Sequence, residues 1–302
     1  MVKIAVLMST YNGEKYLREQ LDSILNQVGD FELDLYVRDD GSDDGTIGIL
    51  EKYKEENKLQ WYSGANLKPA RSFIDLLCKC KKYAYYAFAD QDDYWYQDKI
   101  QRGINRLCQQ KGPALYCSNA ELVDKDLKSL GRNVYKTRPR TDFATIMCAG
   151  GLLGCTMIFN DELAEIIKIN KKNSEMILHD FYMAAVCASI GGNISYDSNP
   201  TMKYRQHEKN VVGVSYGFLG TVMGRVKDIL TKEPVSIAAQ AEGILKDYKK
   251  YITINRQKWL EQITHYNDNA LNRLKLACSV KTKYININLS LKLRLSILFG
   301  NR

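Results

Sequence analysis

Three short segments concentrate carboxylates and hydroxyls within the first hundred residues: Ser9-Thr10-Tyr11-Asn12-Gly13, then Arg38-Asp39-Asp40-Gly41-Ser42-Asp43-Asp44-Gly45-Thr46, then Asp90-Gln91-Asp92-Asp93. Gathered in one cleft, these carboxylates would repel one another unless a cation or hydrogen-bond donors were present. The Asp90-x-Asp92 spacing suits a hard divalent cation. Mg²⁺ or Mn²⁺ takes oxygen ligands, keeps several waters and commonly bridges protein carboxylates to substrate phosphates. By itself D-x-D is a weak motif, equally at home in a solvated acidic loop or a helix cap. Its place directly after the apolar run Tyr85-Tyr86-Ala87-Phe88-Ala89 turns the reading toward metal.

These segments must be positioned by the elements they follow. Ile4 to Met8 is a continuous apolar run that suits a strand buried on both faces, and Leu33, Leu35 and Val37 alternate in a second strand. Between them Leu17, Leu21, Ile24, Leu25 and Val28 recur at helical spacing. The pattern continues with a helix near Asp44 to Lys54, a strand near Leu59 to Tyr62, a helix from Ser72 to Cys80 and a strand from Ala84 to Ala89. This β-α-β-α-β-α-β order predicts an α/β fold with a mostly parallel sheet flanked by helices. Ligands of such sheets sit at the carboxyl ends of the strands, where all three polar segments lie.

Past Asp90 the alternation loosens. A helix is expected around Ile100 to Cys108, a strand at Ala114 to Cys117, loop through Arg140, and helices at Asp161 to Ile169 and Asp180 to Ile190. After Val214 charged helices are expected up to about Leu276, which divides the chain into an α/β domain over 1–214 and a helical, basic C-terminal extension over 215–302.

Composition narrows the class. The chain has 302 residues, 45% of them hydrophobic, with a net charge of +8. No acidic residue follows Asp268, whereas Arg273, Lys275, Lys281, Lys283, Lys292, Arg294 and Arg302 do, so the positive excess sits in the tail. This argues against a nucleic-acid-binding face and for a tail that meets an anionic membrane surface. The eight cysteines are scattered with no C-x-x-C pair, as expected of small hydrophobes in a reducing cytosol. The N-terminus lacks the features of a signal peptide, and the longest uncharged run, Phe143 to Phe159, is too short for a membrane span and broken by Gly150, Gly151 and Gly154.

Taken in order, several segments resemble inverting glycosyltransferases of family 2, and within them the bacterial rhamnosyltransferase-like branch that builds cell-surface polysaccharides. They are the first two polar segments, Phe88-Ala89-Asp90-Gln91-Asp92-Asp93-x-Trp95, Gly154-Cys155-Thr156-Met157, His179-Asp180 and Tyr204-Arg205-Gln206-His207-x-x-Asn210. The resemblance implies the GT-A nucleotide-sugar-binding fold, a donor site dependent on Mn²⁺ or Mg²⁺, and a lipid-linked or oligosaccharide acceptor. It implies that Thr10, Tyr11, Asn12, Asp39 and Asp40 surround the donor, with a carboxylate accepting the N3–H of a pyrimidine. Asp90 would lie by the ribose and metal, Asp92 would be the direct ligand, and His207 a further one. Arg71 and Arg205 would touch the diphosphate, although members of the family often have glycine where Lys68 stands. Asp180 matches the catalytic base, in a place where many members read Glu-Asp. Its alternative is to cap an amphipathic helix carrying Met183, Val186, Cys187 and Ile190. Trp95, Thr156 and His179 would face the acceptor.

An EF-hand-like calcium protein is the rival from another class, since Asp40-x-Ser42-x-Asp44-Gly45 with Glu51 at the twelfth place fits such a loop. It would need a helix where Leu33 to Val37 alternates like a strand. A sugar-nucleotide pyrophosphorylase would need a different first loop, and no G-x-G-x-x-G supports a dinucleotide oxidoreductase. The expectation is therefore a cytoplasmic enzyme, peripheral on the inner face of the cell membrane. It would move L-rhamnose from a dTDP donor, or alternatively a hexose from a UDP donor, onto a growing polysaccharide. A homodimer stays open, as does the conformation of the tail, where Ile285, Ile287, Leu289, Leu291, Leu293, Leu295 and Ile297 alternate like a strand but also align on a helix.

Overall fold

The computed structural model describes residues 1–170, 175–207, 235–284 and 287–301. Asn210, Ile285 and the domain boundary expected near residue 214 lie outside the described residues. The chain forms two compact units, each assembled from separate stretches of sequence: one from Met1–Lys136, Leu153–Ile169 and Asn193–His207, the other from Thr137–Leu152, Asn170–Gly192 and Glu208–Arg302.

In the first unit β1 (Val2–Thr10) runs parallel to β2 (Phe31–Asp39) on one side and to β4 (Tyr85–Ala89) on the other, while β2 pairs in parallel with β3 (Gln60–Ser63). Ile4 to Met8 are fully buried, as a two-faced apolar strand demands. The connecting helices are α1 (Leu17–Leu25), α2 (Thr46–Glu55) and α3 (Lys68–Lys79). Each turns an apolar stripe inward: Leu17, Leu21 and Ile24; Ile49, Leu50 and Tyr53; Phe73, Ile74, Leu76 and Leu77. The parallel register carries the functional consequence. Thr10 stands beside Asp39 and Asp39 beside Ser63, while Met8 stands beside Ala89, so the polar segments leave the sheet at one edge.

The other half of the sheet is mixed. β8 (Ile158–Asn160) pairs antiparallel between β4 and β6 (Ala114–Val123), and β6 pairs in parallel with β9 (Asn193–Arg205). The two-residue β5 (Tyr94–Trp95) joins the far side of β9, and β7 (Ser129–Asn133) folds back on β6. Helices α4 (Lys99–Leu107) and α6 (Asp161–Asn170) complete the chain order here. The region expected to be loop up to Arg140 therefore contains the second half of a ten-residue strand and its hairpin partner. Its polar residues are buried and satisfied: Ser118 Oγ and Thr201 Oγ1 lie 2.6 Å apart, and Asn119 Oδ1 accepts from Ala120 N at 3.0 Å and Tyr135 N at 3.1 Å. Phe88 packs on Phe159 and Phe73 at 5.0 and 5.1 Å between ring centroids, forming the aromatic core beneath the acidic loop.

The second unit is helical: α5 (Phe143–Ala149), α7 (His179–Ser189), α8 (Ile237–Tyr248), α9 (Ile254–Thr264), α10 (Ala270–Cys278) and α11 (Ile287–Leu298). Asp142, Ser236 and Asn269 cap α5, α8 and α10 through side-chain bonds at 3.1, 3.1 and 2.9 Å. Helix α5 ends at Gly150, whose φ of +62° and close approach to the Phe181 ring both exclude a β-carbon. Helix α7 is buried on every side from Phe181 to Ser189, so it is a core helix, where the sequence suggested an amphipathic one. The alternating tail folds as a helix, α11. No disulfide forms among the described residues, and among them no helix is long and apolar enough to cross a membrane.

Candidate active site

The loop after β1 and the loop after β2 are laced together. Asn12, held at φ +49°, donates its amide to Ser42 Oγ at 2.9 Å and accepts from Asp43 N at 3.0 Å through Oδ1. Gly13 N donates to Thr46 Oγ1 at 2.9 Å, and Asp44 takes both Glu14 N and Thr46 N, at 3.1 and 3.0 Å. Asp44 thus starts α2, and β2 stands where an EF-hand needs a helix, which removes the calcium-loop reading.

Asp39 is fully buried at the base of this lacework. Its Oδ1 accepts from Thr10 Oγ1 at 3.2 Å and Ser42 Oγ at 2.5 Å, and its Oδ2 from Gly41 N and Ser42 N at 3.0 Å each. Tyr11, the next residue after Thr10, is 51% exposed. Asp40 differs from its expected role beside the donor. It is buried in an ion pair with Arg38 and accepts Leu67 N and Lys68 N at 2.9 and 3.0 Å, so it fixes the turn into α3. Lys68 there has φ +65°, which explains why glycine suits the position. Arg71 is exposed on the first turn of α3.

The acidic loop follows β4. Gln91 bridges it to the first loop, bonding Tyr11 N at 2.9 Å and Tyr11 O at 3.0 Å. Gln20 Nε2 holds the Asp90 carbonyl at 2.9 Å. Asp92 Oδ2 lies 2.7 Å from His207 Nε2, the two half-buried side chains meeting from opposite ends of the unit's sequence. Arg205 ties the same corner together: its Nε donates to the Asp92 carbonyl at 2.7 Å, and its other guanidinium nitrogens to the Lys125 carbonyl and Glu19 Oε2 at 2.5 Å each. Its guanidinium covers the Tyr16 ring at 4.4 Å, and Tyr16 in turn packs on His207 at 5.1 Å. A recess of about 410 Å³ opens beside it, lined by Lys15, Tyr16, Glu19, Lys125, Asp126 and Arg205.

Two donor sets could hold a cation. Asp90, Asp93 and Cys155 present ligand atoms within 4.8 Å of one another. Burial, with the charges of Asp92 and Asp90, drives the Asp93 carboxyl well above its usual range, and burial with the Asp93 charge does the same to the Cys155 thiol. Asp92 and His207 retain solvent access; the carboxylate oxygen suits Mn²⁺ or Mg²⁺, and the imidazole nitrogen favours a transition ion such as Mn²⁺ over Mg²⁺.

In the helical unit, Asp180 lies in the first turn of α7, where the helix dipole favours a carboxylate, and Oδ1 accepts the following amide, Phe181 N, at 2.6 Å. It is half-buried. His179 is buried, and desolvation lowers its pKa to about 3, so it is neutral.

Comparison with known proteins decides the family. The family model for Glycosyl transferase family 2 matches residues 5–161. The chain belongs to that family. The dTDP-rhamnosyl transferase RfbG of Shigella flexneri is 33% identical over 226 residues, covering 70% of this chain and 75% of that one. The structure of Staphylococcus aureus TarS 1–349 with UDP-GlcNAc superposes with a TM-score of 0.54 at 17% identity, covering 98% and 89% of the two chains. The mannosyltransferase PcManGT of Pyrobaculum calidifontis, in complex with GDP-Man and Mn²⁺, gives a TM-score of 0.50 at 12% identity, covering 98% and 74%. The fold is GT-A.

Several expectations for this glycosyltransferase are corrected by its packing. Trp95 is 1% exposed and Thr156 fully buried, its hydroxyl donated to the Leu153 carbonyl at 2.8 Å, so neither presents a surface to an acceptor. His179 is likewise enclosed. Arg205 spends its donors on protein acceptors and acts as a clamp on the acidic loop rather than as an open diphosphate contact. A residue the sequence reading passed over is Lys99. Fully buried at the start of α4, it donates to the Cys155 carbonyl at 3.0 Å and covers the Trp95 ring at 4.6 Å. Burial lowers its pKa to about 8. A lysine four residues after the aromatic Trp95, leading an otherwise apolar helix face, was the available signal.

Proposed function

We propose that this family 2 enzyme is a metal-dependent, inverting rhamnosyltransferase that moves L-rhamnose from dTDP-rhamnose to a hydroxyl of a growing, lipid-linked surface polysaccharide at the inner face of the cell membrane. The observation that carries the donor site is the Asp92–His207 pair at the carboxyl end of β4, beside the β1 and β2 loops. The choice of sugar rests on the similarity to RfbG.

In this reading Tyr11 stacks on the thymine, and the base N3–H takes the place of the Ser42 hydroxyl at Asp39 Oδ1. Asp92 and His207 would hold the divalent ion. When bound, the ion offsets the charge on the departing nucleoside diphosphate, so that no proton has to be supplied to it. Asp180 takes the proton of the acceptor hydroxyl as that oxygen forms its bond to the anomeric carbon and the bond to the diphosphate breaks on the opposite face. One displacement inverts the configuration. The neutral imidazole of His179, beside Asp180, adds no positive charge that would weaken the base.

Slow donor hydrolysis over a panel of dTDP-rhamnose, dTDP-glucose, UDP-glucose and UDP-GlcNAc tests the reading. Release of dTDP from dTDP-rhamnose at least tenfold faster than any UDP release is expected; a preference for a UDP-hexose would replace the donor with the alternative one.

A further inference from the structure

Helices α10 and α11 pack on each other, and α11 turns Leu293, Ser296 and Ile297 inward at helical spacing. What it leaves outside is unusual for a polar environment. Ile287 is 86% exposed, and Leu291, Leu298 and Phe299 are exposed as well. Ile287, Leu291 and Leu298 follow one another at intervals of four and seven, so they share one outer face. Leu271, Leu274 and Val280 add further exposed aliphatic surface on the α10 side.

The charge on this segment has one sign. Lys275, Lys281, Lys283, Lys292 and Arg294 accompany these side chains, with no carboxylate after Asp268. A recess of about 510 Å³ gathers both characters, lined by Lys283, Tyr284, Ile287, Ser290, Leu291 and Arg294. Arg294 is held in place there, donating Nε to the Thr282 carbonyl at 3.1 Å and Nη2 to the Ser279 carbonyl at 3.3 Å. The basic wall of the recess is thereby preorganised.

We propose that this face of the helical unit docks on an anionic lipid surface, with lipid phosphates met by Lys283 and Arg294 and with Ile287, Leu291, Leu298 and Phe299 entering the acyl boundary. The charge pattern selects this occupant. A second copy meeting the same patch across a two-fold axis would set cations against cations, whereas a bilayer rich in anionic headgroups complements both the charge and the apolar stripe. The twelve residues of α11 span about 18 Å, so the helix lies in the interface and does not cross it. The proposal deepens the lipid-linked acceptor reading by naming the surface that keeps the enzyme beside its acceptor.

The test uses the full chain and needs no acceptor. Co-sedimentation is measured with phosphatidylcholine vesicles and with vesicles containing about one-third phosphatidylglycerol, at low and high salt. Wild type is expected to pellet with the anionic vesicles at low salt only. The double change Lys283→Glu with Lys292→Glu, and separately Ile287→Ser with Leu291→Ser, should each weaken binding at least tenfold while leaving the melting temperature and donor hydrolysis unchanged. Absence of binding to anionic vesicles at low salt overturns the proposal. So does equal binding to neutral ones, or a dimer in light scattering that the Ile287→Ser and Leu291→Ser pair dissolves. Vesicle binding by a chain that hydrolyses no dTDP-rhamnose would leave the docking face intact and remove the proposed donor instead.

Discussion

His207 Nε2 rests 2.7 Å from Asp92 Oδ2, joining the end of β9 to the acidic loop after β4 across 115 residues of chain. Each side chain alone is an ordinary partly exposed polar group; together they form the corner proposed to hold the cation. Asp92→Asn keeps the hydrogen bond and removes the charge. It should lower turnover by roughly 10²-fold or more and weaken Mn²⁺ binding in calorimetry, with a melting temperature close to that of wild type. Full activity of this variant, or of wild type in excess chelator, would remove the metal from the proposed mechanism.

Asp180→Asn separates binding from chemistry. Donor affinity should be unchanged, while transfer falls by roughly 10²-fold or more, as for a lost general base. The first-turn carboxylate contributes about 0.3–1 kcal/mol to its helix by favouring the dipole. A variant that only lost this contribution would melt slightly earlier and turn over normally, which would leave Asp180 a structural residue.

Asp40→Asn removes one of the two carboxylates paired with the buried Arg38, leaving Asp75 and Ser72 as its partners. Leaving a buried charge wholly unpaired costs about 3–5 kcal/mol; with Asp75 still beside Arg38 the loss should fall below that range, and the turn at Leu67 and Lys68 loses one of its two acceptors as well. Chemical denaturation should show the loss directly. A midpoint within error of wild type would mean that the ion pair contributes little to the β2–α3 corner.

Lys99 imposes a pH dependence of known sign. Its pKa is lowered to about 8 in the folded chain from 10.5, so the buried charge costs stability at every pH below that value. The cost is relieved as pH rises from about 8 toward 10.5, because there the unfolded state binds the proton and the folded state does not. Relative to Lys99→Met, wild type should therefore gain up to roughly 3 kcal/mol over that window. Paired urea titrations at pH 7.5 and 10 measure the difference; a constant gap between the two proteins would show that Lys99 keeps its proton throughout.

The parallel half of the sheet was legible because β1 and β4 are continuous apolar runs, β2 alternates and the helices between them carry clear stripes. Ile4 to Met8 and the β1-to-β4 order could be read directly, and the three polar segments then had to meet. β9 was harder. Its first half, Asn193 to Asn199, is polar and only partly buried, and only Thr201, Met202, Tyr204 and Arg205 point into the interior. The second half of β6 was hidden for the opposite reason, since Ser118 and Asn119 are buried polar groups whose partners lie far away in sequence. Spacing alone could not distinguish Trp95 and Thr156, which are enclosed, from Tyr11, which is open; that depends on long-range packing. Nor does the sequence show that Asp40 pairs with Arg38 and that Arg205 donates to Asp92, Lys125 and Glu19, because an acid or a base near a phosphate site looks the same whether it faces a ligand or the protein.

The parallel pairing of β6 with β9 also sets the order in which the enzyme can mature. The family-matched stretch ends at residue 161, yet Arg205 and His207 arrive only with the last strand of the α/β unit. During synthesis the acidic loop emerges long before its partners, and at about 5–20 residues per second it waits on the order of ten seconds for them. A nascent chain halted before residue 200 would carry most of the nucleotide-facing loops but no closed cation corner. If the proposed Asp92–His207 corner holds the cation, its loading would be deferred until the sheet is complete, and a fragment cut at the edge of the family-matched region would be expected to bind cations no better than a free acidic peptide.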